Sequence, residues 1–217
     1  AWITYADNPS IVYQGRWDDT QSNAPWCGWQ GSSVAMNFDG SAIAMGVIVR
    51  GNDEWFKVII DGDISGARKI EVSGENRWQA IVIAQGLPAG QHHVEVVKET
   101  NNNGQVSFLG FAGLDGLGVL APPAPKTKRI AFYGDSNLAG DSLEHESNNG
   151  QLKYRGCTNT WAGITARRFD AEYQNCSISG ATISTLNGWY DRIDPAKENT
   201  QWDFNSWIPD VVVINIG

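Results

Sequence analysis

Three prolines within four positions, Pro122, Pro123 and Pro125 in the stretch Ala121–Lys128, divide this 217-residue chain into halves with different hydrophobic periods. Proline offers no amide hydrogen to a β-ladder and holds φ at about −65°, so the stretch reads as a stiff, extended linker. The expected organisation is a first domain over residues 1–121, a linker over 122–128 and a second domain over 129–217. Because the linker is short, the second domain must lie close to the first, whose loops are then placed to line its cleft.

Ahead of the linker, short apolar runs alternate with turn chemistry. Ile11–Tyr13, Ser33–Phe38, Ala42–Val49, Trp55–Ile60, Lys69–Val72, Trp78–Ile83, His92–Val97 and Val106–Phe111 read as strands, with Asp39-Gly40, Asp61-Gly62 and Asn101–Gly104 among the turns between them. Strands at such regular spacing, uninterrupted by a helical period, predict a sandwich or jelly roll. Asp61-Gly62-Asp63 opens like a calcium loop but lacks a glutamate at the twelfth position and follows a strand, so it reads as a β-turn. His92 and His93 are neighbours in a strand, point to opposite faces, and cannot share a metal.

Behind the linker the period changes. Arg129–Tyr133 reads as a buried strand, and Gly134-Asp135-Ser136 turns the chain so that Ser136 sits at the strand's carboxyl end, where open α/β sheets bind ligands. Thr158 or Asn159 caps a helix through Trp161, Ile164 and Phe169. A second strand, Ala171–Ile178, leads into Ser179-Gly180-Ala181-Thr182, and a third, valine-rich and expected to be central, occupies Val211–Ile216. Strand, helix, strand, helix, strand is the order of a parallel, doubly wound sheet. His145, between Glu144 and Glu146, is the second domain's single histidine and reads as a solvated loop residue or substrate contact before a base.

A net charge of −8 speaks against nucleic acid or an anionic membrane as a partner, and no apolar run reaches the ~20 residues of a membrane span. Cys27, Cys157 and Cys176 lack zinc-site spacing. Cys157 and Cys176 flank one helix and the next strand, so a disulfide and two buried free thiols both remain open readings. Asn175-Cys176-Ser177 matches a glycosylation pattern inside a predicted strand, a poor place for modification. Of ten tryptophans, six precede residue 80, as core or as sugar platforms.

Gly134-Asp135-Ser136, Ser179-Gly180 and the strand running to Gly217 resemble the blocks of the SGNH (GDSL-type) hydrolases. With the closing strands Gly90–Lys98 and Phe108–Phe111, the chain resembles carbohydrate esterase family two: an all-β jelly roll followed by an α/β SGNH domain with a flavodoxin-like parallel sheet, here incomplete. The resemblance implies Ser136 as nucleophile, the N–H groups of Ser136 and Gly180 as oxyanion donors, and Asp135 as a brace of the turn. The family's Gly-x-Asn-Asp block is present only to Gly217, and its Asp-x-x-His block has no counterpart. The implied asparagine and catalytic histidine would therefore come from a C-terminal remainder, as a second chain or a missing segment. The implied protein is a secreted esterase without metal or organic cofactor. It would act through an acyl-enzyme on an acetylated, hemicellulose-type polysaccharide or oligosaccharide. Trp189, Trp202 and Trp207 are loose candidates for sugar contacts, with core packing expected for at least one. The rival from another class is a non-catalytic carbohydrate-binding protein with a degenerate hydrolase half.

Overall fold

A computed structural model describes residues 1–217. The strands are β1 (Trp2–Tyr5), β2 (Val12–Gln14), β3 (Trp17–Asp18), β4 (Trp26–Cys27), β5 (Ser33–Asp39), β6 (Ile43–Arg50), β7 (Glu54–Ile60), β8 (Arg68–Val72), β9 (Glu75–Ala84), β10 (Gln91–Lys98), β11 (Gln105–Gly113), β12 (Gly118–Val119), β13 (Lys128–Gly134), β14 (Ala171–Ser177) and β15 (Val211–Asn215). The helices are α1 (Ser136–Ala139), α2 (Trp161–Arg168) and α3 (Ile183–Leu186). Residues 122–127 carry no regular structure.

Two antiparallel sheets form the first half. One runs β3-β4-β11-β6-β9 with β1 added to β11; the other runs β12-β5-β10-β7-β8 with β2 added to β5. Period two explains the core between them. Ile43, Met45, Val47 and Val49 of β6 all point inward and meet Val34, Met36 and Phe38 of β5 and Val94 and Val96 of β10. The opposite faces of β7 and β10 carry Lys57, Ile59 and Val97, and these are buried as well. The second half of the chain covers them.

In that second half β13 lies between β14 and β15, all parallel, with Gly134 opposite both Ser177 and Asn215. The order, second strand, first, third, is that with which a 2-1-3-4-5 doubly wound sheet begins. On one face Ile130 and Phe132 pack against Leu138, Ala162 and Ala166 of the helices. On the other, Ala131 and Tyr133 pack with Cys176, Trp189 and Trp29, the last supplied by the first half. One expectation needs correction. Cys157–Asn159 form a 3₁₀ turn, so the cap of α2 is Thr160, whose hydroxyl accepts from the Gly163 N–H at 3.4 Å. As its valine-rich sequence implies for a three-stranded sheet that ends on it, β15 leaves apolar surface unpaired: Val211, Val212 and Ile214 are 51%, 53% and 55% exposed.

The disulfide reading also falls. All three cysteines are free and buried. Cys157 packs with Ile59 and Val97 on the sandwich side, whereas Cys176 lies in the separate cluster around Trp29 and Tyr133, so the sheet keeps the two thiols in different layers.

The free edge of β14 is closed by side chains of the first half acting in place of a strand. Gln14 Oε1 accepts from the Tyr173 N–H at 3.3 Å, and Gln30 Nε2 donates to the Ser177 carbonyl at 2.8 Å. Beside them Arg16, 1% exposed, donates to Gln174 (2.9 Å), to the Tyr133 hydroxyl (2.7 Å) and to the carbonyls of Tyr190 (2.6 Å) and Arg192 (2.9 Å). Its guanidinium lies within 5.4–5.8 Å of the ring centres of Phe204, Tyr133 and Trp202. Neutral acceptors and aromatic faces thus satisfy a buried cation that has no carboxylate partner.

Candidate active site

Gly134 ends β13 because α1 folds straight back onto the strand: a Cβ there would collide with the Leu138 side chain, which is fully buried. Asp135 caps α1, its carboxylate accepting from the Asn137 N–H at 3.0 Å and from Asn137 Nδ2 at 3.1 Å. Ser136 is therefore the first helical residue. Its carbonyl is taken by the N–H groups of Gly140 (3.0 Å) and Asp141 (3.1 Å), while its own N–H has no partner within the helix. Asn175, 1% exposed, donates to the Leu138 carbonyl at 2.8 Å and locks α1 to β14. That burial also removes the glycosylation reading of Asn175.

The second block reaches the same end of the sheet. The Ile178 N–H donates to the Gly134 carbonyl at 3.1 Å, and the chain then turns at Gly180, φ +77°. No atom lies within 4 Å of a Cβ built on Gly180, and its N–H donates to no protein acceptor. Left-handed backbone, not crowding by the protein, is what requires glycine there. The turn is tied down by Asp141 and Arg155, to which the sequence assigns no role. Ser179 Oγ donates to the Asp141 carboxylate, Arg155 Nε pairs with Asp141 Oδ1 at 2.7 Å, and Arg155 Nη1 donates to the Asn101 carbonyl of the first half at 3.1 Å. Asp141 and Arg155 sit in an aperiodic polar stretch, so only the fold reveals that they brace this turn. A cavity of about 200 Å³ opens beside it between the two halves, bounded by Asn101, Asn103, Ala139, Arg155, Ser179 and Pro195.

No side chain hydrogen-bonds Ser136 Oγ. His145 is turned to Ser147 at 3.0 Å, with its ring against Tyr154, centroids 4.4 Å apart. The buried thiols are no rival nucleophiles, since desolvation pushes Cys176 up to about 11 and Cys27 to about 12. Trp189 is core, 5.7 Å from Trp29; Trp202 lies over Arg16, and Trp207 donates to Glu172 at 3.1 Å. Asp61 and Asp63 serve turns and the neighbouring histidine: Asp61 meets His92 Nδ1 and the His93 N–H, both at 2.8 Å, and Asp63 accepts from the Gly66 N–H at 3.0 Å.

A sequence model described as the N-terminal domain of carbohydrate esterase 2 matches residues 13–123, half of the chain. The chain belongs to carbohydrate esterase family 2. Among curated relatives, the cellulase/esterase CelE of Acetivibrio thermocellus is 32% identical over 222 residues, covering 97% of this chain and 26% of the relative. An acetylxylan esterase/glucomannan deacetylase of Cellvibrio japonicus is 22% identical over 227 residues, covering 98% and 62%. A family two carbohydrate esterase from Clostridium thermocellum, solved in complex with cellohexaose, superposes with a TM-score of 0.87 at 31% identity, over 95% of this chain and 65% of that one. A family two esterase from Cellvibrio japonicus gives a TM-score of 0.86 at 21% identity, a likeness of fold alone. The family member described here thus spans about a quarter and three fifths of the two curated relatives.

Proposed function

We propose that the enzyme to which these residues belong removes acetyl groups from a neutral, hemicellulose-type polysaccharide outside the cell, with Ser136 as nucleophile. One observation carries the reading. Ser136 opens α1 at the carboxyl end of the central strand, and the unpaired N–H groups of Ser136 and Gly180 stand at the same end of the sheet. A hydroxyl beside two free donors suits acyl transfer: Ser136 Oγ adds to the ester carbonyl, the oxyanion is held by the donors, and the sugar hydroxyl leaves as the acyl-enzyme forms. Water then releases acetate. Family membership and the acetylated substrates named for the Cellvibrio relative support the acyl group and the polymer.

The general base and the third oxyanion donor belong, on this proposal, to parts of the enzyme outside these 217 residues, since none of the three histidines bonds to Ser136. The same parts would cover the exposed faces of Val211, Val212 and Ile214, because a valine-rich parallel strand is ordinarily buried on both sides. The test is acetate release from acetylated xylan and glucomannan by the full-length enzyme and its Ser136→Ala variant. We expect a loss of about 10³-fold or more in kcat with little change in KM. An active Ser136→Ala enzyme would place the nucleophile elsewhere. A wild-type protein that binds the polymer and releases no acetate would make it a binding protein instead.

A further inference from the structure

The sheet containing β1, β11, β6 and β9 has an outer face that no element of the chain covers. Register across it places Tyr5, Gly110, Gly46 and Ala80 in one transverse row, and Ile3, Ala112, Ala44 and Val82 in the next. In these rows the two central strands offer only Gly and Ala, with Leu109 at the bulge of β11 lining the face beside them, whereas β1 carries Ile3 and Tyr5 and β9 carries Trp78. A trough results. Its walls are Ile3 and Tyr5 on β1, 69% and 67% exposed, and Trp78 on β9, 60% exposed. Wall to wall it spans three strand spacings, about 14 Å, and encloses about 420 Å³. The depth depends on glycine at position 46, where a Cβ would stand 3.3 Å from Trp78 Nε1.

Apolar patches of this kind mark interaction sites, and the chemistry of this one narrows the occupant. None of its 13 lining residues is charged, in a chain of net charge −8, so nothing in it selects an ion or a charged polymer. The polar groups at its rim, the Tyr5 hydroxyl, Trp78 Nε1 and the Asn23 amide, are spent on no internal hydrogen bond. Aromatic faces with neutral donors at their edges suit a pyranose chain, which offers C–H groups on its ring faces and hydroxyls around its perimeter. A second copy of this chain fits poorly, because a twofold contact sets the same patch against itself and two troughs would enclose a void.

We infer that this trough is a binding site for a neutral polysaccharide, separate from the Ser136 cleft. It lies on the sheet opposite the one that holds Lys57 and Lys69, and no hydrogen bond or ion pair links its lining to residues 128–217. Holding a polymer there would keep the enzyme on its substrate between cleavage events. The choice of glycan as occupant rests on the proposed function.

The experiment is calorimetric titration of cellohexaose into full-length Ser136→Ala protein, alone and with Trp78→Ala or Tyr5→Ala added, beside 4-nitrophenyl acetate hydrolysis by the same trough variants carrying Ser136. Both side chains are exposed, so their removal leaves folding intact. We expect each substitution to weaken binding at one site by at least about tenfold, as truncating an aromatic anchor does, with ester hydrolysis unchanged. Identical titrations for all variants, or no binding at all, would overturn the inference. So would a dimer, seen by sedimentation, that Trp78→Ala breaks. Absence of hydrolysis with trough binding intact would sink the esterase reading and leave this one standing.

Discussion

The position of Ser136, the proposed nucleophile, and of the turn beside it depends on two glycines for opposite reasons. At Gly134 there is no room: an added methyl meets Leu138, which is 0% exposed and cannot yield without moving α1. We expect Gly134→Ala to cost about 1–3 kcal/mol in urea unfolding, as overpacking does, and to lower kcat beyond that, because Ser136 moves with the helix. At Gly180 there is room but a left-handed backbone, so Gly180→Ala should cost only about 1–2 kcal/mol while turning the proposed oxyanion donor away. The thiols supply an independent check. With Cys27, Cys157 and Cys176 buried and unpaired, none should react with Ellman's reagent in the native chain, and all three should react on unfolding without reductant. A yield of one thiol would restore the disulfide. At this scale the Gly-Asp-Ser turn was legible because its three residues are contiguous. Arg16 was not, since its acceptors come from Gln174, Tyr133, Tyr190 and Arg192, more than a hundred residues away.

Among the elements, strands of seven or more residues were readable, because period two needs only a few turns of the pleat to declare itself. Apart from β2, read as Ile11–Tyr13, those of two to four residues were not: Trp2–Tyr5, Trp17–Asp18, Trp26–Cys27 and Gly118–Val119 are too short to show a period, and pairing with β11, β4 and β5 is what makes them strands. Likewise α1, only four residues long, carries no helical pattern and exists because its first N–H groups find Asp135. Asp135→Ala should therefore remove about 1 kcal/mol of stability and lower kcat in the full-length enzyme, and Asp135→Asn, which caps nearly as well, should recover both. If Asp135→Asn were as inactive as Asp135→Ala, Asp135 would be acting through its charge and not as a cap.

On the scale of the molecule, the sandwich holds the loop that follows Ser136 through a partly buried cluster of charges. Lys57 Nζ pairs with Glu144 at 2.8 Å and with Glu99 at 3.6 Å; Lys69 Nζ pairs with Glu144 at 2.7 Å and also reaches the Arg155 carbonyl. Glu99, 0% exposed, accepts from the Thr158 N–H at 3.1 Å and from its hydroxyl. Burial alone would raise the Glu144 pKa, but hydrogen bonds and charge from the two lysines outweigh it and hold the carboxyl below its ordinary value. Burial alone would likewise lower Lys57, and Glu99 with Glu144 outweighs it, leaving the amine above its ordinary value. The signs set the window. The contribution of Glu144 is present above the ordinary carboxyl pKa and is lost as pH falls through its lowered folded value; that of Lys57 persists until pH rises through its raised one. Glu144→Gln should thus destabilise the protein near neutrality by about 1–3 kcal/mol, less than a fully buried pair because the Glu144 side chain is 25% exposed. In acid, below the folded pKa, the wild-type carboxyl is itself neutral and the two proteins should unfold at nearly the same urea concentration. A gap between them that stayed constant from pH 7 to pH 3 would mean that glutamine disturbs packing rather than charge.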